Sequence, residues 1–118
     1  MVCPLLILVI LVILVILVYH FAGIADIDMR AQRPTDTARI NVLGTVQLLE
    51  SCRKTKVKRF VFANSAYVFS DSGYFYRSSK RACESFIEDY ANLFDLKYTC
   101  LRYGSLYGER FRQKQQYL

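Results

Sequence analysis

Three short apolar runs, at residues 15–21, 57–63 and 97–102, alternate with two stretches whose apolar residues recur at helical spacing. This alternation limits the fold more than any other feature. The intervals between the runs are too long for hairpin turns and long enough for crossover helices. Strand, helix, strand, helix, strand is the order of a parallel sheet with right-handed connections, so the chain is expected to be α/β.

The first helical stretch follows Pro34. Thr35 is read as its N-cap, Asp36 suits the first turn, and Arg53 and Lys54 suit the last. Ile40, Leu43, Val46 and Leu49 are predicted to form its buried face. Residues 57–63 end in four continuous apolar residues, as a buried parallel strand does. Residues 65–75 read as a loop turning at Asp71, Ser72 and Gly73. From Tyr76 a second helix is predicted, with Cys83, Phe86, Ile87, Tyr90, Ala91 and Phe94 along one face and Asp95 at its end. In such sheets ligands gather beyond the carboxyl ends of the strands. That edge would collect residues 20–23, 64–66 and 103–105, with the Tyr76 helix starting nearby.

At 118 residues the chain holds one small domain. Its net charge of +6 comes from basic residues scattered along the sequence, which suits a solvated helix end and a basic tail and argues against nucleic acid as a partner. Cys3, Cys52, Cys83 and Cys100 stand far apart and His20 is the only histidine, so no metal site is expected. Cys52 and Cys83 fall on apolar helix faces, as free buried thiols in a reducing compartment would.

Hydrophobic residues make up 53% of the chain, and much of the excess precedes residue 20. Leu5 to Val18 contains only Leu, Ile and Val. As one strand it would extend about 46 Å, beyond usual strand lengths. As one helix it would span about 21 Å, reaching about 30 Å only if all the residues to His20 joined. Three readings stand: a buried strand with an aberrant extension, a membrane-associated helix, or a cleaved leader. Residues 1–14 are taken as an apolar leader and 15–118 as the domain.

Tyr76 and Lys80 stand four apart and project from one helix face. An ammonium beside a phenol favours the phenolate, drawing a tyrosine pKa down from about 10. Ser65, eleven residues before Tyr76 at the end of an apolar run, could bond the same substrate oxygen. Such a set suits proton transfer coupled to hydride transfer. The neighbouring words are Tyr19-His20-Phe21-Ala22-Gly23, Asn41-Val42-Leu43-Gly44-Thr45, Phe60-Val61-Phe62-Ala63-Asn64-Ser65-Ala66 and Leu101-Arg102-Tyr103-Gly104-Ser105-Leu106-Tyr107-Gly108.

In this order and spacing the chain, from about residue 15 to 110, resembles the NAD-dependent epimerase/dehydratase family, the extended short-chain dehydrogenase/reductases. The resemblance implies a partial Rossmann-like doubly wound parallel sheet. It gives Tyr76 the acid/base role, and gives Lys80 the nicotinamide ribose and the tuning of Tyr76. Ser65 would orient the reacting oxygen, and Asn41 would lie near the cofactor. Ala22 and Gly23 match backbone passing the adenosine and pyrophosphate side, and Tyr103, Gly104 and Ser105 match the nicotinamide pocket. Singly, each has a plain alternative: Ser65 a turn residue, Lys80 a solvated lysine, Asn41 a bonded helix residue.

Departures accompany the match. No glycine precedes Gly23, so a G-x-x-G-x-x-G phosphate loop is missing, and the family's substrate domain is not present. Asn64 before the serine, Ser70 and Glu109 also depart from the pattern. The resemblance implies NAD or NADP as cofactor, bound weakly, and a nucleotide-sugar as substrate. It also implies a cytoplasmic oxidoreductase or isomerase fragment inactive by itself. An open edge beside the first strand implies an oligomeric or membrane-bound state.

Overall fold

The computed structural model describes residues 16–25 and 32–104. Strand β1 is Leu17–His20. Helix α1 covers residues 34–54 in three stretches: Pro34–Thr37, a wider-wound Ala38–Leu43, and Gly44–Lys54. Strand β2, Arg59–Ser65, runs into a 3-10 turn at Ala66–Phe69. Helix α2, Tyr74–Phe94, then leads to β3, Tyr98–Tyr103. The sheet order is β1-β2-β3 and both pairings are parallel. Leu17 lies beside Arg59, and Phe60 beside Tyr98. The strand–helix–strand–helix–strand order expected from the sequence is the one observed.

Boundaries moved for local reasons. β2 starts two residues late because Val57 closes the end of α1 instead, its N–H bonding Cys52 O at 3.0 Å. Asn64 and Ser65 consequently belong to the strand and not to the following loop. α1 begins at Pro34, whose missing N–H costs nothing at a first turn, so Thr35 is not its cap. α2 begins at Tyr74 because Gly73 reverses the chain at a φ of 92°, where a Cβ would be strained and would crowd Tyr67 and Arg77 at 3.3 Å. Among the described residues β1 is an edge strand and not a buried one: Leu17 and Tyr19 are 48% and 60% exposed. The apolar leader, residue 15 included, lies outside the described residues. Among the described residues no helix is long and apolar enough to cross a membrane.

Both helices pack on the sheet face that carries Val18, Phe60, Phe62, Tyr98 and Cys100. Leu49 and Cys52 reach it from α1, and Cys83, Ile87 and Tyr90 from α2. Complete burial of a residue such as Phe60 contributes about 1.5–3 kcal/mol. The face predicted for α1 holds at Leu49 and is off by about one residue in the turns before it. Ile40 and Leu43 are 39% and 50% exposed, while Thr37, Asn41, Thr45, Leu49 and Cys52 point inward. The wider winding explains the offset, since the Gly44 N–H reaches back five residues to Arg39 O. On α2, Phe86 and Phe94 are exposed. Phe94 instead lies beneath the Arg53 guanidinium, 4.6 Å from its ring centre. Cys52 and Cys83 are buried free thiols, as expected.

Candidate active site

At the carboxyl edge of the sheet lies a cavity of about 410 Å³. Phe21, Gly23 and Ala25 line it after β1, Ala63 and Asn64 at the end of β2, Tyr76 and Lys80 on α2, and Tyr103 on β3. Lys80 is only 5% exposed. Its ammonium donates to the Ala63 carbonyl at 2.8 Å. It sits 4.6 Å from the centre of the Phe62 ring and 5.7 Å from that of Tyr76. Burial pushes its pKa down. Among the described residues the Ala63 carbonyl is its one hydrogen-bond acceptor, so two of the three ammonium hydrogens remain for a guest. Tyr76, one turn earlier, meets Tyr67 edge-on at 6.4 Å between ring centres.

Asn41 stands behind this wall. Its side chain accepts from Ile24 N at 2.7 Å, donates to Ile24 O at 2.8 Å, and donates to Ser79 Oγ at 3.0 Å. Ser79 in turn donates to the Tyr76 carbonyl at 2.7 Å. The amide thus ties the loop after β1 to the helix that presents Tyr76. The approach is close enough that a Cβ on Gly23 would meet Asn41 Oδ1 at 3.0 Å. The Asn41 carbonyl accepts from the Thr45 hydroxyl and the Cys83 thiol.

Ser65 is buried, and its Oγ accepts from Tyr67 N at 3.3 Å, capping the 3-10 turn. Its hydroxyl does not line the cavity. Ala22 and Gly104 are exposed beside the cavity without forming its wall. Ser105 lies outside the described residues. Of the residues singled out in the sequence, Gly23, Tyr76, Lys80 and Tyr103 therefore meet at one cavity, with Asn41 supporting it. Sequence reasoning put Phe21 and Asn64 on the ligand-gathering edge without naming them as site residues, and missed Ala25 and Ala63. Asn64 carried a signal, a polar residue ending an apolar run. Ala63 acts through its carbonyl and carried none.

His20 points to the helix side, between Phe60 and Phe62 at 5.9 and 5.7 Å. Its Nε2 is 2.8 Å from Thr45 Oγ1, and that hydroxyl spends its hydrogen on Asn41 O. The imidazole must therefore donate through Nε2. Burial, and then the Lys80 charge, lowers its pKa. Among the described residues, no group of three or more His, Cys, Asp or Glu could hold a metal ion.

A three-stranded parallel sheet with its pocket beyond the strand ends is half of a dinucleotide-binding architecture. The model of the NAD dependent epimerase/dehydratase family matches residues 14–117, and the chain belongs to that family. A putative UDP-glucose 4-epimerase of Methanocaldococcus jannaschii is 33% identical over 79% of this chain and 35% of its own length. The UDP-glucose 4-epimerase of Mus musculus is 44% identical over 48% of this chain and 16% of its own. Among solved structures, a UDP-galactose 4-epimerase superimposes with a TM-score of 0.71 at 29% identity, over 83% of this chain and 38% of that one. The Thermus thermophilus UDP-glucose 4-epimerase in complex with NAD gives 0.70 at 30% identity, over 80% and 35%. The chain thus spans about a third or less of the length of the curated relatives it matches.

Proposed function

We propose that this chain carries the proton-transfer and nicotinamide-facing part of an NAD-dependent nucleotide-sugar epimerase site. The observation behind this reading is the buried Lys80 ammonium, bonded to Ala63 O at 2.8 Å and opening with Tyr76 onto one cavity. Tyr76 is the acid/base. Its phenolate takes the proton of a sugar hydroxyl, and the phenol so formed later returns it. Lys80, 5.7 Å from the centre of the Tyr76 ring, offers its unspent N–H groups to a ribose hydroxyl. When bound, NAD would accept a hydride from a sugar carbon and give it back. Tyr103 and Lys80 are the residues that would hold its nicotinamide end, Gly23 would pass its adenosine and pyrophosphate side, and Asn41 keeps that wall in place. Ser65 supports the site from behind, its hydroxyl oxygen capping the 3-10 turn whose Tyr67 meets the Tyr76 ring.

The fit is good at the nicotinamide end and poor at the other, where the sequence has no glycine-rich phosphate loop. NAD binding by these 118 residues is therefore weak, in the millimolar range. Calorimetric titration checks this, and a micromolar dissociation constant would refute it. The buried thiols Cys52 and Cys83 suit a cytoplasmic setting.

The activity test follows conversion of UDP-glucose to UDP-galactose with cofactor added well above millimolar. Turnover that falls about 10²–10⁴-fold in Tyr76→Phe supports the assignment. Equal turnover in both proteins removes Tyr76 from the chemistry. No turnover from the native chain overturns the activity while leaving family membership intact.

A further inference from the structure

We propose that Asn64, Glu84 and Arg102 form a polar clamp that positions the end of β2 against the helix carrying Tyr76 and Lys80. The clamp's purpose rests on the reading above, in which those two residues face the reacting sugar. Glu84 follows Lys80 by four residues and Tyr76 by eight, so all three share one face of α2. Its carboxylate accepts from Asn64 Nδ2 at 2.5 Å through one oxygen and from Arg102 Nη2 through the other. Asn64 Oδ1 accepts from the Ser65 N–H at 2.9 Å. The Arg102 guanidinium lies 4.8 Å from the centre of the Phe69 ring. Strands β2 and β3 thereby converge on one carboxylate of helix α2, and the 3-10 turn is held through Arg102.

Asn64 is 3% exposed, so both ends of its amide need partners inside the protein. A carboxylate only accepts, and it therefore decides which way round the amide stands. Turned over, the amide would set oxygen against carboxylate and its own N–H against the Ser65 N–H. The orientation matters because both neighbours of Asn64 bear on the site. Ala63 supplies the carbonyl that holds Lys80, and Ser65 caps the 3-10 turn whose Tyr67 packs edge-on against Tyr76. Glu84 and Arg102 do not line the cavity, and both are positioning residues.

The test is hydrogen exchange of the Ser65 amide by NMR, referenced to the Phe62 amide in the same strand. It requires neither cofactor nor turnover, so its failure and failure of the proposed activity are separable. Glu84→Gln keeps the shape but sets an N–H against one of the two donors. It should speed Ser65 exchange about tenfold relative to Phe62. Glu88→Gln, one turn further along and exposed, should leave the ratio unchanged. Combining Asn64→Asp with Glu84→Gln exchanges donor and acceptor between the two positions. It should bring Ser65 back to within about threefold of the native rate, a rescue that simple packing does not give. Should Glu84→Gln fail to fold, Arg102→Gln removes only the outer pair and should raise the ratio by about threefold. An unchanged Ser65 ratio in the folded variant, or a double variant exchanging as fast as Glu84→Gln alone, overturns the clamp.

Discussion

The two ends of the helix pair are built from different interiors. At the amino end of the strands, α1 and α2 bury Leu49, Cys52, Ile87 and Tyr90 against Phe60, which is an ordinary apolar core. At the carboxyl end the same two helices bury Thr37, Asn41, Thr45, Ser79 and Lys80. That second interior is held by directed bonds: Asn41 to Ile24 and Ser79, Lys80 to Ala63, and His20 to Thr45. Apolar packing tolerates small displacements, but a hydrogen bond loses most of its strength within a fraction of an ångström or a poor angle. The polar half is therefore the half that fixes geometry, and it surrounds the cavity. The apolar half supplies the burial that makes so much polar interior affordable.

The contrast breaks most visibly at Tyr76. Tyr76→Phe should remove turnover by the 10²–10⁴-fold given above while leaving the thermal midpoint unchanged, because the phenol is not a structural anchor. A fall in melting temperature as large as that of a core variant would place Tyr76 in the wrong half. Next comes the apolar end: Ile87→Ala, at a fully buried position, should cost about 2–5 kcal/mol in urea unfolding. A loss below 1 kcal/mol would mean the core is not packed as described.

Asn41→Ala deletes an amide that makes three hydrogen bonds and leaves the Ile24 N–H and carbonyl unmet. About 1–3 kcal/mol should be lost, with the loop around Gly23 exchanging faster than β2. Uniform acceleration across both would show that Asn41 serves global stability only.

His20 gives the smaller, pH-dependent contrast. Its pKa in the fold lies below the ordinary 6.5, chiefly through burial. The unfolded chain therefore takes up the proton first as the solution is acidified. Stability should fall as pH drops below about 6.5 and level off beneath the folded value. As the only histidine, it can be followed by its own imidazole signals. A midpoint at or above 6.5 would contradict the buried, Nε2-donating ring, and His20→Asn should flatten this part of the stability profile. The smallest effect belongs to the exposed pair Arg39–Asp36, where Arg39→Ala should change stability by less than about 0.5 kcal/mol.

Some of this was legible in the residues and some was not. The apolar runs gave the strand order, and Tyr76 with Lys80 gave the helix face that borders the cavity. The inner face of α1 was misread because a fixed helical period was applied to a segment that widens at Ala38–Leu43. Polar residues there also counted against burial, although Thr37, Asn41 and Thr45 are the ones enclosed. Ser65 was read as the start of a loop, but it ends β2 and its hydroxyl oxygen caps the next turn. The role of Glu84 was half visible, since its spacing from Lys80 puts it on the same face; its partners Asn64 and Arg102 lie 20 and 18 residues away.

The sequence alone determined the parallel α/β order, the family, and the pairing of Tyr76 with Lys80. These follow from periodicity and short spacing, which local chain geometry enforces. Only the tertiary structure decided that Lys80 is buried on the Ala63 carbonyl, that Asn41 bridges β1 to α2, and that one carboxylate joins β2, α2 and β3. Each of those contacts joins residues that meet only when the sheet and both helices have packed, and no local pattern records which donor will find which acceptor.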